Sequence, residues 1–234
     1  GGNTSPYYWP GTVSIQSMSN IHYGGSEGHF CTGTIVRPRW VLTAAHCVYG
    51  SHQSIGILAG QSNLDSSLVV KRRVIAKRVP WNYSPRVGTH DVAMLYLGKA
   101  VSPELVAPIS FRYVYPGEDV WAVGWGIDDY GYIPNNLREV DMTVLGSCNF
   151  DDGALDKTTV CANNKRDHGA ICSGDSGGPL FTPYGVLVGV SNFSGSSAKS
   201  CWDPSYPSGF ARISNNARWI KHQFRNPPGY WYHR

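Results

Sequence analysis

The chain has 234 residues, with only 15% charged side chains beside 8 Trp, 14 Tyr and 7 Phe. Such a composition excludes a disordered protein, and its 20 Lys and Arg against 16 Asp and Glu, a net charge of +4, fall far short of the dense basic footprint of a nucleic-acid binder. No run approaches the roughly 18 apolar residues of a membrane-spanning helix, and 27 Gly with 15 Pro favour many turns over long helices.

In chain order, short apolar or alternating runs predict strands at Thr12–Gln16, Gly33–Val36, Trp40–Leu42, Ser54–Ala59, Leu68–Val79, Asp91–Leu97, Val120–Gly124, Arg138–Leu145, Leu180–Phe181, Val186–Val190 and Gly209–Ile213. Gly-, Pro-, Asn- and Ser-rich pieces separate them, among them Tyr23–Gly28, Asp128–Asn136 and Ser194–Ser208. Thr43–Val48 reads as one helical turn. Ser214–Phe224 is the best helix, with a Ser cap and Ala217, Ile220 and Phe224 at helical spacing. Many short strands at regular spacing predict an all-β chain of antiparallel barrels or sandwiches, with two packed halves divided near Pro103–Pro116.

The run Lys71, Arg72, Arg73, Lys77 and Arg78 alternates with Val69, Val70, Val74, Ile75 and Val79. It is read as a strand with a solvated basic face, the alternative being a surface for glycans or anionic lipid. Six cysteines occur, with neither a C-x-x-C pair nor an H-E-x-x-H, so no metal site is expected. An even count in so aromatic a chain predicts disulfides and a secreted protein. Composition alone leaves all of about 15 pairings open. No apolar signal segment stands at Gly1, which reads as a processed chain. Sequons at Asn3, Asn82 and Asn192 are candidate glycan acceptors, the second disfavoured by Pro85.

Two segments carry chemistry: Thr43-Ala44-Ala45-His46-Cys47 and Gly174-Asp175-Ser176-Gly177-Gly178-Pro179. A serine hydroxyl is a poor nucleophile until a base removes its proton. An imidazole titrating near neutrality can do that and return the proton to a leaving amine. A carboxylate must hold its tautomer and stabilise its cation.

With these motifs, nearly the whole chain resembles the trypsin/chymotrypsin-like serine proteases. His90-Asp91-Val92-Ala93-Met94-Leu95 is similar to the family's aspartate segment, and the order His46, Asp91, Ser176 is the chymotrypsin order. Val123-Gly124-Trp125-Gly126 and Ala217-Arg218-Trp219-Ile220 match further landmarks. The resemblance implies one peptidase domain over residues 1–234, two packed antiparallel β-barrels with a short C-terminal helix. It implies Ser176 as nucleophile, His46 as general base and acid, Asp91 as orienting carboxylate, and the N–H groups of Gly174 and Ser176 as oxyanion hole. Ser191 matches the serine that holds the aspartate. The pairing implied is Cys31–Cys47, Cys148–Cys161 and Cys172–Cys201, the first loop contributing roughly 3 kcal/mol.

In the family, the residue six before the nucleophile floors the specificity pocket, and here it is Ala170. Lacking a carboxylate, it disfavours Lys and Arg substrates. Ile171 is expected to narrow the pocket and Ser173 to line it. The wall reads Ser191-Asn192-Phe193, with Phe193 where many relatives have glycine, and the far wall aligns near Ser208. A shallow apolar pocket implies elastase-like preference for small residues. Gly60–Ser67, the calcium loop of trypsin, offers the single acid Asp65, so no calcium is expected, and no cofactor. Asp175 is the residue that receives the terminal ammonium freed by activation cleavage. The chain begins Gly1-Gly2 where active relatives begin Ile-Val-Gly-Gly. Together with Phe193, that departure supports a second reading, a protease homologue acting as a binding or regulatory protein. Expected partners are peptide or protein substrates and a protein inhibitor, for a monomer that binds no nucleic acid and has no membrane span.

Overall fold

The computed structural model describes residues 2–5, 9–21, 24–150, 153–154, 157–164, 169–194 and 207–229. After a two-residue strand β1 (Asn3–Thr4), six strands follow: β2 (Thr12–Ser17), β3 (His29–Arg37), β4 (Trp40–Thr43), β5 (Ile55–Ala59), β6 (Val70–Arg78) and β7 (Ala93–Leu97). They close in the order β2-β3-β4-β7-β6-β5, every neighbouring pair antiparallel. A linker with a short 3-10 turn at Pro103–Leu105 leads to β8 (Asp119–Gly124) and β9 (Arg138–Val144). A small hairpin, β10 (Asn149–Phe150) with β11 (Gly153–Ala154), precedes β12 (Thr159–Asn163), β13 (Pro179–Phe181), β14 (Leu187–Ser194) and β15 (Ser208–Arg212). The order β9-β12-β15-β14-β13-β8 closes through β8–β9 into a second antiparallel barrel, with β1 on the edge of β9.

Side chains along a strand alternate between faces. In β4, Val41 points into the first barrel with Ile15, Ile35, Ile57 and Leu95, while Trp40 and Leu42 join the seam between barrels. In β7, Ala93, Leu95 and Leu97 fill the barrel, and Met94 and Tyr96 face the seam with Trp125, Phe181 and Ile220. Burial on both faces explains the unbroken apolar runs Trp40-Val41-Leu42 and Ala93–Leu97. The second barrel holds Val120, Ala122, Val160, Leu180, Val188 and Phe210.

Helix α1 (Ile213–Arg225) is longer than Ser214–Phe224, and its cap differs from expectation: Arg212 is the N-cap residue, without a side-chain cap, and Ser214 lies inside the first turn. Its buried stripe is Ile213, Asn216, Ile220 and Gln223, two of them amides with structural partners. Gln223 accepts from Arg78 Nη1 at 2.8 Å. Arg72 donates to the Ala100 carbonyl, Lys77 to those of Ser51 and Gln53, and Arg78 also to that of Asn226. Much of the basic run in β6 therefore secures neighbouring backbone, and Lys71 and Arg73 are its exposed members.

Candidate active site

Register brings the first two groups together. Thr43 pairs with Ala93 across β4 and β7, so the residues after Thr43 and before Ala93 leave the barrel at the same end. There Asp91, 1% exposed, grips His46 at two points: Oδ1 accepts the His46 backbone N–H at 2.8 Å and Oδ2 lies 2.6 Å from Nδ1. The imidazole is 35% exposed. Cys31–Cys47 ties the residue after His46 to β3. Those sulfurs and His46 lie within 4.8 Å, but the sulfurs are bonded to each other and offer no thiolate to a metal.

The second motif lies against the first. The Ser176 carbonyl accepts the Thr32 N–H at 2.9 Å and is 3.6 Å from Cys47 Sγ. Gly177, at φ +80°, sits so close to Thr43 and Ala44 that a β-carbon there would collide with the Thr43 hydroxyl. Gly174, at φ +98°, abuts Gly126 and the His29 ring. Asp175 is enclosed: Oδ1 accepts the Gly126 N–H at 2.8 Å and Oδ2 that of Cys172 at 2.9 Å. Burial raises its carboxyl above the usual range, against those two hydrogen bonds. A small cavity beside it is lined by Gly2, Arg138, Glu139, Ala170 and Ile171.

The roles of three residues at this centre are not legible in the sequence. His29, 5% exposed, has Nε2 3.0 Å from the Gly174 carbonyl and Nδ1 2.8 Å from Ser14 Oγ. A carbonyl can only accept, so Nε2 carries the proton and Nδ1 accepts from Ser14, whose oxygen in turn accepts from Gln16 Nε2. With Thr32 Oγ1 at 2.9 Å, this chain pins the Gly174 carbonyl. His90, at φ +53°, holds a left-handed conformation unusual for a side-chain-bearing residue. Its Nδ1 donates to Asn216 Oδ1 at 3.0 Å, which steadies the residue before Asp91. Tyr83 stands edge-on to Tyr49 at 5.2 Å, and burial, then the charge of Asp91, then Tyr49, push its phenol up to about 12. A histidine in a strand and an asparagine in a helix carry no local signature, so only the fold exposes these roles.

The sequence profile described as Trypsin matches residues 1–220. The chain belongs to the trypsin family. It is a serine endopeptidase by that membership. Granzyme M of Homo sapiens is 33% identical over 87% of this chain and 82% of its own length. Chymotrypsin-like elastase family member 1 of Macaca fascicularis is 30% identical over 91% and 84%. Lectizyme of Glossina austeni is 31% identical over 86% and 79%. The solved structure of neuropsin, a serine protease of mouse brain, superposes with a TM-score of 0.80 at 23% identity, covering 95% of this chain and 98% of that one, and supports the chymotrypsin-like fold.

Other family positions are distributed as follows. Cys148–Cys161 is formed like Cys31–Cys47, while Cys201, expected to bond Cys172, lies outside the described residues, as do residues 195–206 and 230–234. Ile171, expected beside the pocket, is 4% exposed and packed with Val140, Val160 and Phe210 inside the second barrel, because the strands there close over it. Ser191 Oγ is buried without a hydrogen-bond partner among the described residues, so the bond to the aspartate that the resemblance implies is not formed. Ser173 is exposed, Ala170 half-buried, and Ser208 2% exposed opposite Ser194. Phe193 lies opposite Gly209, and its ring tip fills the space that a β-carbon on Gly209 would take. Asn192 Nδ2 donates to the Gly88 carbonyl at 3.0 Å, bridging β14 to the loop that carries Asp91. Of the sequons, Asn3 and Asn82 are exposed and Asn192 is half-buried. No helix among the described residues is long and apolar enough to cross a membrane.

Proposed function

We propose that Ser176 is the nucleophile, His46 the general base and acid, and Asp91 the carboxylate that orients it, in an endopeptidase acting through an acyl-enzyme. The observation that carries this reading is the two-point grip of buried Asp91 on His46, which leaves Nδ1 protonated and Nε2 as the acceptor. Nε2 takes the Ser176 proton as Oγ attacks the scissile carbonyl. The N–H groups of Gly174 and Ser176 receive the oxyanion, each such donor lowering the barrier by about 3 kcal/mol. The imidazolium then protonates the leaving amine, and a water, deprotonated at the same nitrogen, releases the acid. Asp175 is the partner we assign to an activating terminal ammonium.

Two measurements test the chemistry. A serine-directed phosphonate should label Ser176 in the natural, fully processed protein and leave Ser176→Ala untouched. Failure of labelling there would favour a non-catalytic, binding or regulatory homologue. We also propose preference for a small or apolar residue before the scissile bond, supported by Ala170 at the pocket floor and by Phe193 on its wall. Pocket contacts of one methylene discriminate by about 1–3 kcal/mol, so preference should be graded. Digestion of a peptide library should give cleavage mainly after Ala, Val or Leu. Dominant cleavage after Lys or Arg would overturn the assignment. The disulfides and the elastase relative support secretion, and a protein inhibitor and a monomeric state belong to the same reading.

A further inference from the structure

Beside the second barrel lies a cavity of about 240 Å³ whose walls come from the linker, the turn after β9, β12 with the residue Lys157 before it, and the end of β15, none of them part of the peptidase site. Arg212 reaches into it. The residue is 7% exposed, and its guanidinium donates to three carbonyls, Val114 and Thr159 at 3.1 Å each and Lys157 at 3.2 Å. It lies 4.2 Å from the centre of the Tyr113 ring. No carboxylate among the described residues pairs with it, whereas Arg112 meets Glu118 and Arg138 meets Asp128. A guanidinium has five N–H donors, so three carbonyls leave two unused. Carbonyl dipoles and an aromatic face offset only part of a buried unit charge, which is costly without an anion. Burial accordingly pulls its pKa down.

The surroundings match an incoming anion. Among the described residues no acid lines the cavity, and the exposed Lys157 adds a second positive charge. Ser147 and Thr159 contribute hydroxyls, while Val114 and Leu145 give an apolar wall. Tyr113, about half exposed, stacks edge-on to the exposed Tyr115. We propose that this cavity binds a small ligand through a carboxylate, sulfate or phosphate group seated on Arg212, with a short apolar body against Val114, Leu145 and Tyr113. The basic run of β6 is a weaker candidate, because three of its five cations, Arg72, Lys77 and Arg78, already hold backbone or amide groups in place.

The test is calorimetric titration of Ser176→Ala protein, at fixed ionic strength, with butyrate, inorganic sulfate and the neutral isostere butyramide. At least one anion should bind tenfold or more tightly than butyramide, and whichever binds better tells a carboxylate ligand from a tetrahedral oxyanion. Lys157→Glu places a carboxylate at the cavity and should weaken that anion at least tenfold while the thermal transition is retained. Tyr113→Ala should weaken it several-fold, and Arg212→Gln should abolish binding if it folds. Anions binding no better than butyramide, or equal affinity in folded Lys157→Glu and the parent, would overturn the proposal whatever the fate of Arg212→Gln.

Discussion

Asp91→Asn should lower kcat about 10⁴-fold, the size of effect expected when the base of such a triad is held in the wrong tautomer. The two-point grip makes the outcome specific. Oδ1 of Asp91 accepts the His46 backbone N–H at 2.8 Å, and only the carbonyl oxygen of an asparagine could replace it there. The amide NH₂ would then face Nδ1, now 2.6 Å from Oδ2. An NH₂ donates, so Nδ1 becomes an acceptor and the ring proton moves to Nε2, where it blocks removal of the Ser176 proton. The loss corresponds to about 5.5 kcal/mol of transition-state stabilisation. KM should change little, because Asp91 touches no substrate. A folded Asp91→Asn enzyme with kcat within tenfold of the parent would refute the assignment of Asp91.

The sequence displays this site because its chemistry is concentrated in short segments. Thr43–Cys47 and Gly174–Pro179 are legible since each functional group stands among small residues whose conformations the chemistry requires. Most strands are legible for a similar local reason, the apolar runs of β4, β5 and β7 being buried on both faces. Thr159–Asn163 was not read as a strand, because Thr-Val-Cys-Ala-Asn is short and mixed; it is made a strand by β15 and β9 on either side. The cap of α1 was misread for a physical reason too: the serine at 214 resembles a cap, but the chain turns helical directly after β15, one residue earlier. Phe193 illustrates the limit best. Its place in the wall segment is plain in the sequence, whereas the glycine at 209 that lies opposite and leaves room for its ring is shown only by the strand register.

His29 couples that site to pH. Burial lowers its pKa from 6.5 to about 4, against the raising effect of its bond to Gly174. The unfolded chain therefore takes up this proton first as pH falls below 6.5, while the folded protein resists until about 4. Stability contributed by neutral His29 is intact above pH 6.5 and lost progressively across that window. At 1.36 kcal/mol per pKa unit, the loss between pH 7 and pH 4 is on the order of 3 kcal/mol. The geometry gives the cause: a proton on Nδ1 would face Ser14 Oγ, which already accepts from Gln16, so the chain from Gln16 to Gly174 would have to rearrange. Glutamine in place of His29 can donate to the Gly174 carbonyl without titrating. Urea unfolding at pH 4 to 7.5 should therefore show His29→Gln losing about 3 kcal/mol less than the parent on acidification, with kcat reduced if the Gly174 carbonyl shifts. Parallel stability profiles for the two proteins would mean that His29 is protonated in the folded state, and that the pinning of the oxyanion loop does not depend on its neutral tautomer.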